Sequence, residues 1–535
     1  MVNSMVFVLL IVAVSVPILF SDASAVECDH GELPRCEDLF NTDGAFVTTW
    51  TTTAPGQTIT IPSFAGTSYS INWGDGNVDL ANGDTSHTYR YSGTYTVTIE
   101  RSFPGINLER NLDSALKLKE ITQWGDIQWS TMEGAFYGAA NMNITASDSP
   151  DLSNVENMDK MFANARTFNA DINSWDVSNV TSMEQTFMLA QSFDSPLDNW
   201  DVSNVNNMSD MFANAKAFNK NISSWNVSNV TNMSGMFMSA SSFNQPLNWN
   251  TSSVSDMSDM FNGATSFNQP LNWNTSSANT MSGMFAGATS FNQPLYQWNI
   301  WNVTDMSNMF NGATSFNSTL SHHYVNDIRQ EGWVTYNLKN MSGMFAGATS
   351  FNQPLQFSLI DVTDMSGMFN GATSFNQNIN NWAVSNVTDM SYMFAGATSF
   401  NQPLSGWQVS KVTDMSQMFA NATSFNQNIG FWYTKNVTDM SGMFYKASSF
   451  NANLSWNVKK VTDMSRMFEG ASAFNGAVWK WHIYNVTDFS YMFKDATSFT
   501  GYYLDWAWDG KVSSNADTTD MFKNSAVPSL SWYSN

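Results

Sequence analysis

The stretch VTDMSQMFANATSFNQNI (412–429) decides how this chain is built. Twenty-five residues later the chain reads VTDMSGMFYKASSFNANL, and twenty-five earlier VTDMSYMFAGATSFNQPL. A Met-Phe pair marks each copy, from Met161 through Met211, Met236, Met260, Met284, Met309, Met344, Met368, Met393, Met418, Met443, Met467 and Met492 to Met521. Thr186-Phe187 takes that place once and Ala135-Phe136 opens the series, which makes sixteen units. Their spacing is 24 or 25 residues, with 26 between Ala135 and Met161, 35 between Met309 and Met344 and 29 before Met521. A steady period in this range predicts a solenoid with one unit per coil, because one coil cannot bury its apolar face alone.

The period carries chemistry as well as rhythm. Val412, Met415, Met418 and Phe419 stand at helical spacing, so TDMSQMFANA predicts one or two helical turns with one apolar face. Asp414 falls where an N-cap belongs. SFNQNI predicts a short strand with Phe425 and Ile429 inward, followed by Trp432 at the next corner. The Met, Phe and Trp columns follow the apolar period, which favours core over a sticky surface. The Asn after each Phe (Asn401, Asn426, Asn451 and their counterparts) fits a ladder that satisfies backbone groups better than it fits a binding row. The Asp column favours capping; calcium bound along it is the minority reading, and no other cofactor is expected.

At this point VTDMSxMFxGATSFNQPLxxWxVSN resembles the repeat of BspA-like leucine-rich repeat surface proteins, the type described in mycoplasma and listeria. The resemblance covers about 116–525. It implies an α/β, right-handed leucine-rich-repeat solenoid in a secreted or cell-surface setting, with adhesion as the role of some relatives. Residues 45–104 differ in texture. WGDG (73–76), HTY (87–89) and GTYTVTI (93–99) resemble a polycystic-kidney-disease-type β-sandwich, so a small all-β domain is expected before the solenoid. The expected organisation is a signal peptide (1–25), a linker (26–44), this β domain (45–104), a capping coil (105–130), the solenoid (131–525) and a tail (526–535).

The bulk composition narrows the function. Residues 6–20 are apolar but for Ser15 and Pro17, and ASA (23–25) supplies a small-residue cleavage site, which predicts secretion, with an uncleaved anchor as the alternative. No later run is long and apolar enough to span a membrane. The net charge of −23 disfavours nucleic acid as a partner. The two cysteines, Cys28 and Cys36, predict one small disulfide loop in an oxidising compartment. Asn143, Asn179, Asn229, Asn302, Asn386, Asn436 and Asn485 each open an N-x-T sequon, read as glycan acceptors or as a by-product of repetition.

Nothing resembles an active site. His30, His87, His322, His323 and His482 hold no metal or triad spacing, so no enzyme is expected. The largest break in the repetition is STLSHHYVNDIRQEGWVTY (318–336), which adds about ten residues to one coil. It carries His322, His323, Tyr324, Arg329 and Trp333, and insertions of this kind often mark a binding face. The expected function is recognition of an extracellular protein or glycan. The alternative is a structural scaffold in which copies of the chain assemble into filaments or a coat. Ice or mineral binding through Thr349, Thr373, Thr398 and Thr423 is the remote third.

Overall fold

A computed structural model describes residues 42–320, 323–325, 328–330 and 332–533. The expected signal segment, the Cys28 and Cys36 pair and His322 lie outside the described residues.

The first part is a β region: β1 (Phe46–Thr52), β2 (Thr58–Ile61), β3 (Tyr69–Asn72), β4 (Val78–Ala81), β5 (Thr85–Thr88) and β6 (Gly93–Arg101). A four-residue helix α1 (Leu112–Ala115), then β7 (Leu118–Gln123) and β8 (Asn143–Ile144), follow. In β1 every second residue is buried, the period of a strand with one face on a core. Six strands form one sheet in the order β4-β3-β6-β1-β7-β8, and β2 pairs with β5 apart from it. Phe46 pairs with Ile99 and Thr52 with Gly93 across β1 and β6, while β7 and β8 run parallel. The WGDG turn requires its first glycine: Gly74 has φ +78°, and a Cβ there would strike the backbone of Thr96.

The expectation of a small self-contained β-sandwich is corrected here. The sheet does not stop at residue 104, because β7 and β8 supply two of its six strands. Its core does not stop there either. Phe46 packs on Trp124 at 5.6 Å and on Trp129 at 5.0 Å, and Trp124 packs on Phe136 of the first repeat at 5.9 Å.

The α/β leucine-rich-repeat solenoid is also overturned. Among the described residues the α-helices are α1 and α2 (Leu504–Ala507), each four residues long and neither part of a regular repeat. Beyond β8 the strands are β9 (His323–Val325) and β10 (Ile328–Gln330), which form a hairpin inside the insertion. The repeats therefore contain neither the expected helical turn nor the expected strand. They consist of successive tight turns.

The backbone of 415–422 shows how. Met418 N–H donates to Met415 O, Ala420 N–H to Gln417 O and Ala422 N–H to Phe419 O, each closing a three-residue step. The intervening donors leave the repeat. Met415, Gln417, Phe419 and Asn421 donate to Asp439, Ser441, Met443 and Tyr445 of the next repeat at 3.1, 2.8, 2.9 and 2.6 Å. Gln417 (φ 53°) and Asn421 (φ 58°) adopt left-handed conformations, which no α-helix contains. The same pair of positions recurs, as in Tyr392 with Gly396 and Arg466 with Gly470. Apolar spacing of three satisfies a chain of turns as well as it satisfies a helix, and the alternating donors select the turns.

Consecutive repeats meet in single-residue parallel bridges that run from Asn157 and Ser182 through Asp414 and Asp439 to Asp488 and Asp517. Side chains stack in the same register. Phe394, Phe419 and Phe444 lie 5.5 and 5.6 Å apart, a second row of Phe400, Phe425 and Phe450 6.0 and 5.9 Å apart, and each row leans on the other at about 4 Å. Met415, Met418, Phe419, Phe425 and Ile429 are all fully buried.

Candidate functional site

Most periodic side chains are spent on holding repeat to repeat. From Trp200 to Trp481 the column tryptophans are buried and donate their indole N–H to a Leu or Ile carbonyl of the preceding repeat, whereas the buried indole N–H of Trp508 has no partner among the described residues. Trp382 bonds Leu355 at 3.2 Å, Trp407 bonds Ile379 at 3.0 Å and Trp432 bonds Leu404 at 3.0 Å. A buried indole needs such a partner, and stacking supplies it. The Asn column forms a ladder in which Asn401 Oδ1 accepts the backbone N–H of Asn426 at 3.0 Å and the Gln427 amide at 2.9 Å. Thr363, Thr388, Thr413, Thr438, Thr462 and Thr487 form an exposed row whose hydroxyls each donate to a carbonyl one repeat back. The ATS threonines Thr349, Thr373 and Thr398 donate more weakly, at 3.4–3.5 Å, and remain exposed.

The Asp column is not a set of helix caps, because no helix follows it. Asp414 Oδ1 accepts the backbone N–H of Ser416, and Asp439 that of Ser441, each at 2.8 Å; this is an Asx turn that starts the run of turns. Burial pushes the Asp439 carboxyl above its ordinary range, and Asp414 and Asp463 on either side add to that. Among the described residues no three His, Cys, Asp or Glu side chains gather as a metal site.

The sequon asparagines also bridge repeats. The side-chain amides of Asn179, Asn229, Asn302, Asn436 and Asn485 donate to the carbonyls of Ser153, Ser203, Ser276, Ser410 and Lys459, and that of Asn386 to Ile360. Asn204 and Asn337, which lie outside any N-x-T sequon, make the same bond to Ser178 and Trp301. The column thus has a structural reason independent of glycosylation. Asn143 stands apart, exposed on β8.

The insertion folds back as the β9–β10 hairpin, with His323 paired to Gln330 and Tyr324 to Arg329. Trp333 does not join it. Its ring is 5% exposed, bonds Leu295 O at 2.8 Å and stacks on Phe357 at 6.3 Å, so it fills the ordinary tryptophan column and is in register. What the insertion leaves outside is different. Trp301, Tyr336 and Ile360, each three residues past the column position in consecutive repeats, are 50%, 45% and 47% exposed, and Val334 beside them is 39% exposed. The Trp301 and Tyr336 rings meet edge-on at 5.7 Å. Sequence reasoning missed this row. Aligning the repeats on Trp298, Trp333 and Phe357 places all three residues in one column.

The β region carries one polar constellation of its own. His87 Nε2 meets Asp75 Oδ2 at 2.7 Å while its ring stacks on Trp73 at 5.2 Å, which ties the HTY and WGDG segments together. No helix among the described residues is long and apolar enough to cross a membrane.

No curated protein matches the chain. One family model does, in overlapping segments at 130–248, 247–331, 323–432, 355–455 and 425–531, which are the turn-built repeats described above and most of the 535 residues. The chain belongs to the family described as "Mycoplasma protein of unknown function, DUF285".

Proposed function

We propose that this repeat protein is a secreted or cell-surface, non-enzymatic recognition protein that engages an extracellular protein or glycan. The observation that carries the reading is the exposed row of Trp301, Tyr336 and Ile360 beside the root of the insertion hairpin. Large side chains are exposed singly elsewhere in the repeats, as Phe431, Tyr433 and Tyr484 are; here three consecutive repeats hold theirs out in water in one column, with Val334 exposed as well. Clustered exposed apolar groups commonly mark interaction sites, and aromatic side chains commonly anchor them. The resemblance to BspA-like surface proteins and the apolar leader at 6–20 support the extracellular setting.

The test uses purified full chain and the double variant Trp301→Ala/Tyr336→Ala, with binding to cultured cells and to matrix extract as the readout. Binding should fall at least tenfold with the melting temperature unchanged. Unchanged binding by a folded variant rejects the row as the contact surface. Sedimentation adds a second readout: monomers fit recognition, whereas filaments of the purified chain point to a scaffold.

A further inference from the structure

The last repeats depart from the pattern at one place, and the departure opens a cleft. In regular repeats a Gln follows the ladder Asn and donates to the Asn one repeat back, as Gln377, Gln402 and Gln427 do. That series ends at Gln427; Ala452 and Gly476 occupy the next two places. The final repeat then lengthens its corner. Phe499 is followed by Thr500, Gly501, Tyr502 and Tyr503 before α2, so that Trp508 reaches the tryptophan column two residues late. The missing side chains and the displaced corner leave a cleft of about 160 Å³, walled by Trp479 and Tyr502 and lined by Asn453, Asn475, Gly476 and Gly501.

We infer that this cleft binds a neutral pyranose ring of a glycan chain. The reading rests on the recognition role proposed above but uses a different surface. A pyranose ring has an apolar C–H face and a rim of hydroxyls, so its site needs exposed aromatic faces beside amide groups. The cleft supplies both. Tyr502 is 70% and Tyr503 51% exposed, with rings 4.0 Å apart, and Trp479 meets Tyr503 edge-on at 5.8 Å. Trp506, three residues on from Tyr503 in α2, is 76% exposed. No charged side chain lines the cleft, which selects against an ionic ligand. Lys480 stands at the rim, over the Trp479 ring at 4.8 Å, so Tyr502 and Trp506 are left as the open stacking faces. Several large rings held out in water together at one corner indicate a face that another molecule covers.

The experiment is saturation-transfer NMR and calorimetry on the full chain with cellohexaose, laminarihexaose, maltohexaose and chitohexaose, and with a heparin hexasaccharide as the charged comparison. At least one neutral hexaose should bind. Tyr502→Ala and Trp506→Ala should each weaken it at least tenfold, and Ala477→Leu, which fills the mouth of the cleft, should abolish it, all three at unchanged melting temperature. Failure of every neutral hexaose, binding of heparin alone, or wild-type affinity in folded Tyr502→Ala and Trp506→Ala overturns the inference. If the Trp301→Ala/Tyr336→Ala variant loses cell binding while no hexaose binds, recognition stands and the cleft assignment alone falls.

Discussion

The indole of Trp407 donates its hydrogen bond to the carbonyl of Ile379, 28 residues earlier in the chain and one repeat back in space. The bond joins a core side chain to the backbone of its neighbour, so each tryptophan both fills its own repeat and fastens it to the last.

Truncation and polarity at this column should separate. Trp407→Ala removes the ring between Trp382 and Trp432 and should cost about 3–5 kcal/mol. Trp407→Phe keeps one ring, as Phe357 does in its own repeat, and loses the donor to Ile379 together with part of the indole volume, for about 1–3 kcal/mol. Chemical denaturation of both variants checks the order.

The Asn ladder should be sensitive to loss of an acceptor and tolerant of its replacement. Asn401→Ala removes the acceptor of the Asn426 N–H and leaves the Gln427 amide only its bond to the Asn401 main-chain carbonyl, and should cost about 0.5–1.5 kcal/mol. Asn401→Asp keeps the acceptor, as Asp194 does towards Asn219 at 2.9 Å, and should cost less. Equal losses in the two variants would show that the ladder bond is not what matters.

Asp439 should limit stability at neutral pH. Burial raises the Asp439 carboxyl, with Asp414 and Asp463 contributing. A carboxyl raised by folding stabilises the native state below its unfolded pKa, and that gain disappears as pH rises through the folded pKa. Asp439→Asn keeps the Oδ1 acceptor for Ser441, and Asn207, Asn232 and Asn340 already occupy the same column. The variant should melt higher than wild type at pH 7. The difference should close as the pH is lowered into the carboxyl range, where Asp439 is itself neutral. A gap independent of pH would rule out the charge as its cause.

Gln417 distinguishes a turn from a helix directly. At φ 53° a non-glycine residue carries a left-handed cost of roughly 1–2 kcal/mol, so Gln417→Gly should be neutral or slightly stabilising. Gln417→Val should destabilise by about 1–2 kcal/mol, because a branched side chain tolerates that conformation poorly. In a helix glycine would instead cost about 1 kcal/mol relative to a good helix former. Thermal melts of the two variants decide.

Architecture was legible in the sequence to the extent that it depended on which residues recur. Met418, Phe425 and Trp432 read as core because they return at a fixed period, and the Asn401 ladder read correctly because a polar residue returning behind a buried Phe must bond something. Local conformation was not legible. Val412, Met415 and Met418 are three apart, a spacing shared by a helical face and by successive turns. The deciding left-handed positions hold Gly in some repeats but Gln417, Tyr392 or Arg466 in others, so residue type does not mark them. The Asp at 414 suits a helix cap and an Asx turn equally. At the surface, Trp333 was misread because the insertion hides its register, and Trp301, Tyr336 and Ile360 were missed because each looks unremarkable until three repeats are set side by side.

The alternating backbone donors also give the molecule an electrical direction. From each repeat several N–H groups point towards the C-terminal neighbour, as from Phe489, Tyr491, Phe493 and Asp495 into Asp517, Thr519, Met521 and Lys523. Peptide dipoles aligned this way add along the axis, as they do in a helix. The negative end is capped, because Leu108 and Glu109 donate into the carbonyls of Ala135 and Gly134 at 3.4 and 3.3 Å. At the positive end stand the carboxylates Asp517 and Asp520, with Asp517 held below its ordinary range by its hydrogen bonds from Thr519. The repeat array is thus polarised along the direction of its inter-repeat bonds, with the β region donating into one end and Asp517 and the Asp520–Lys523 pair standing at the other.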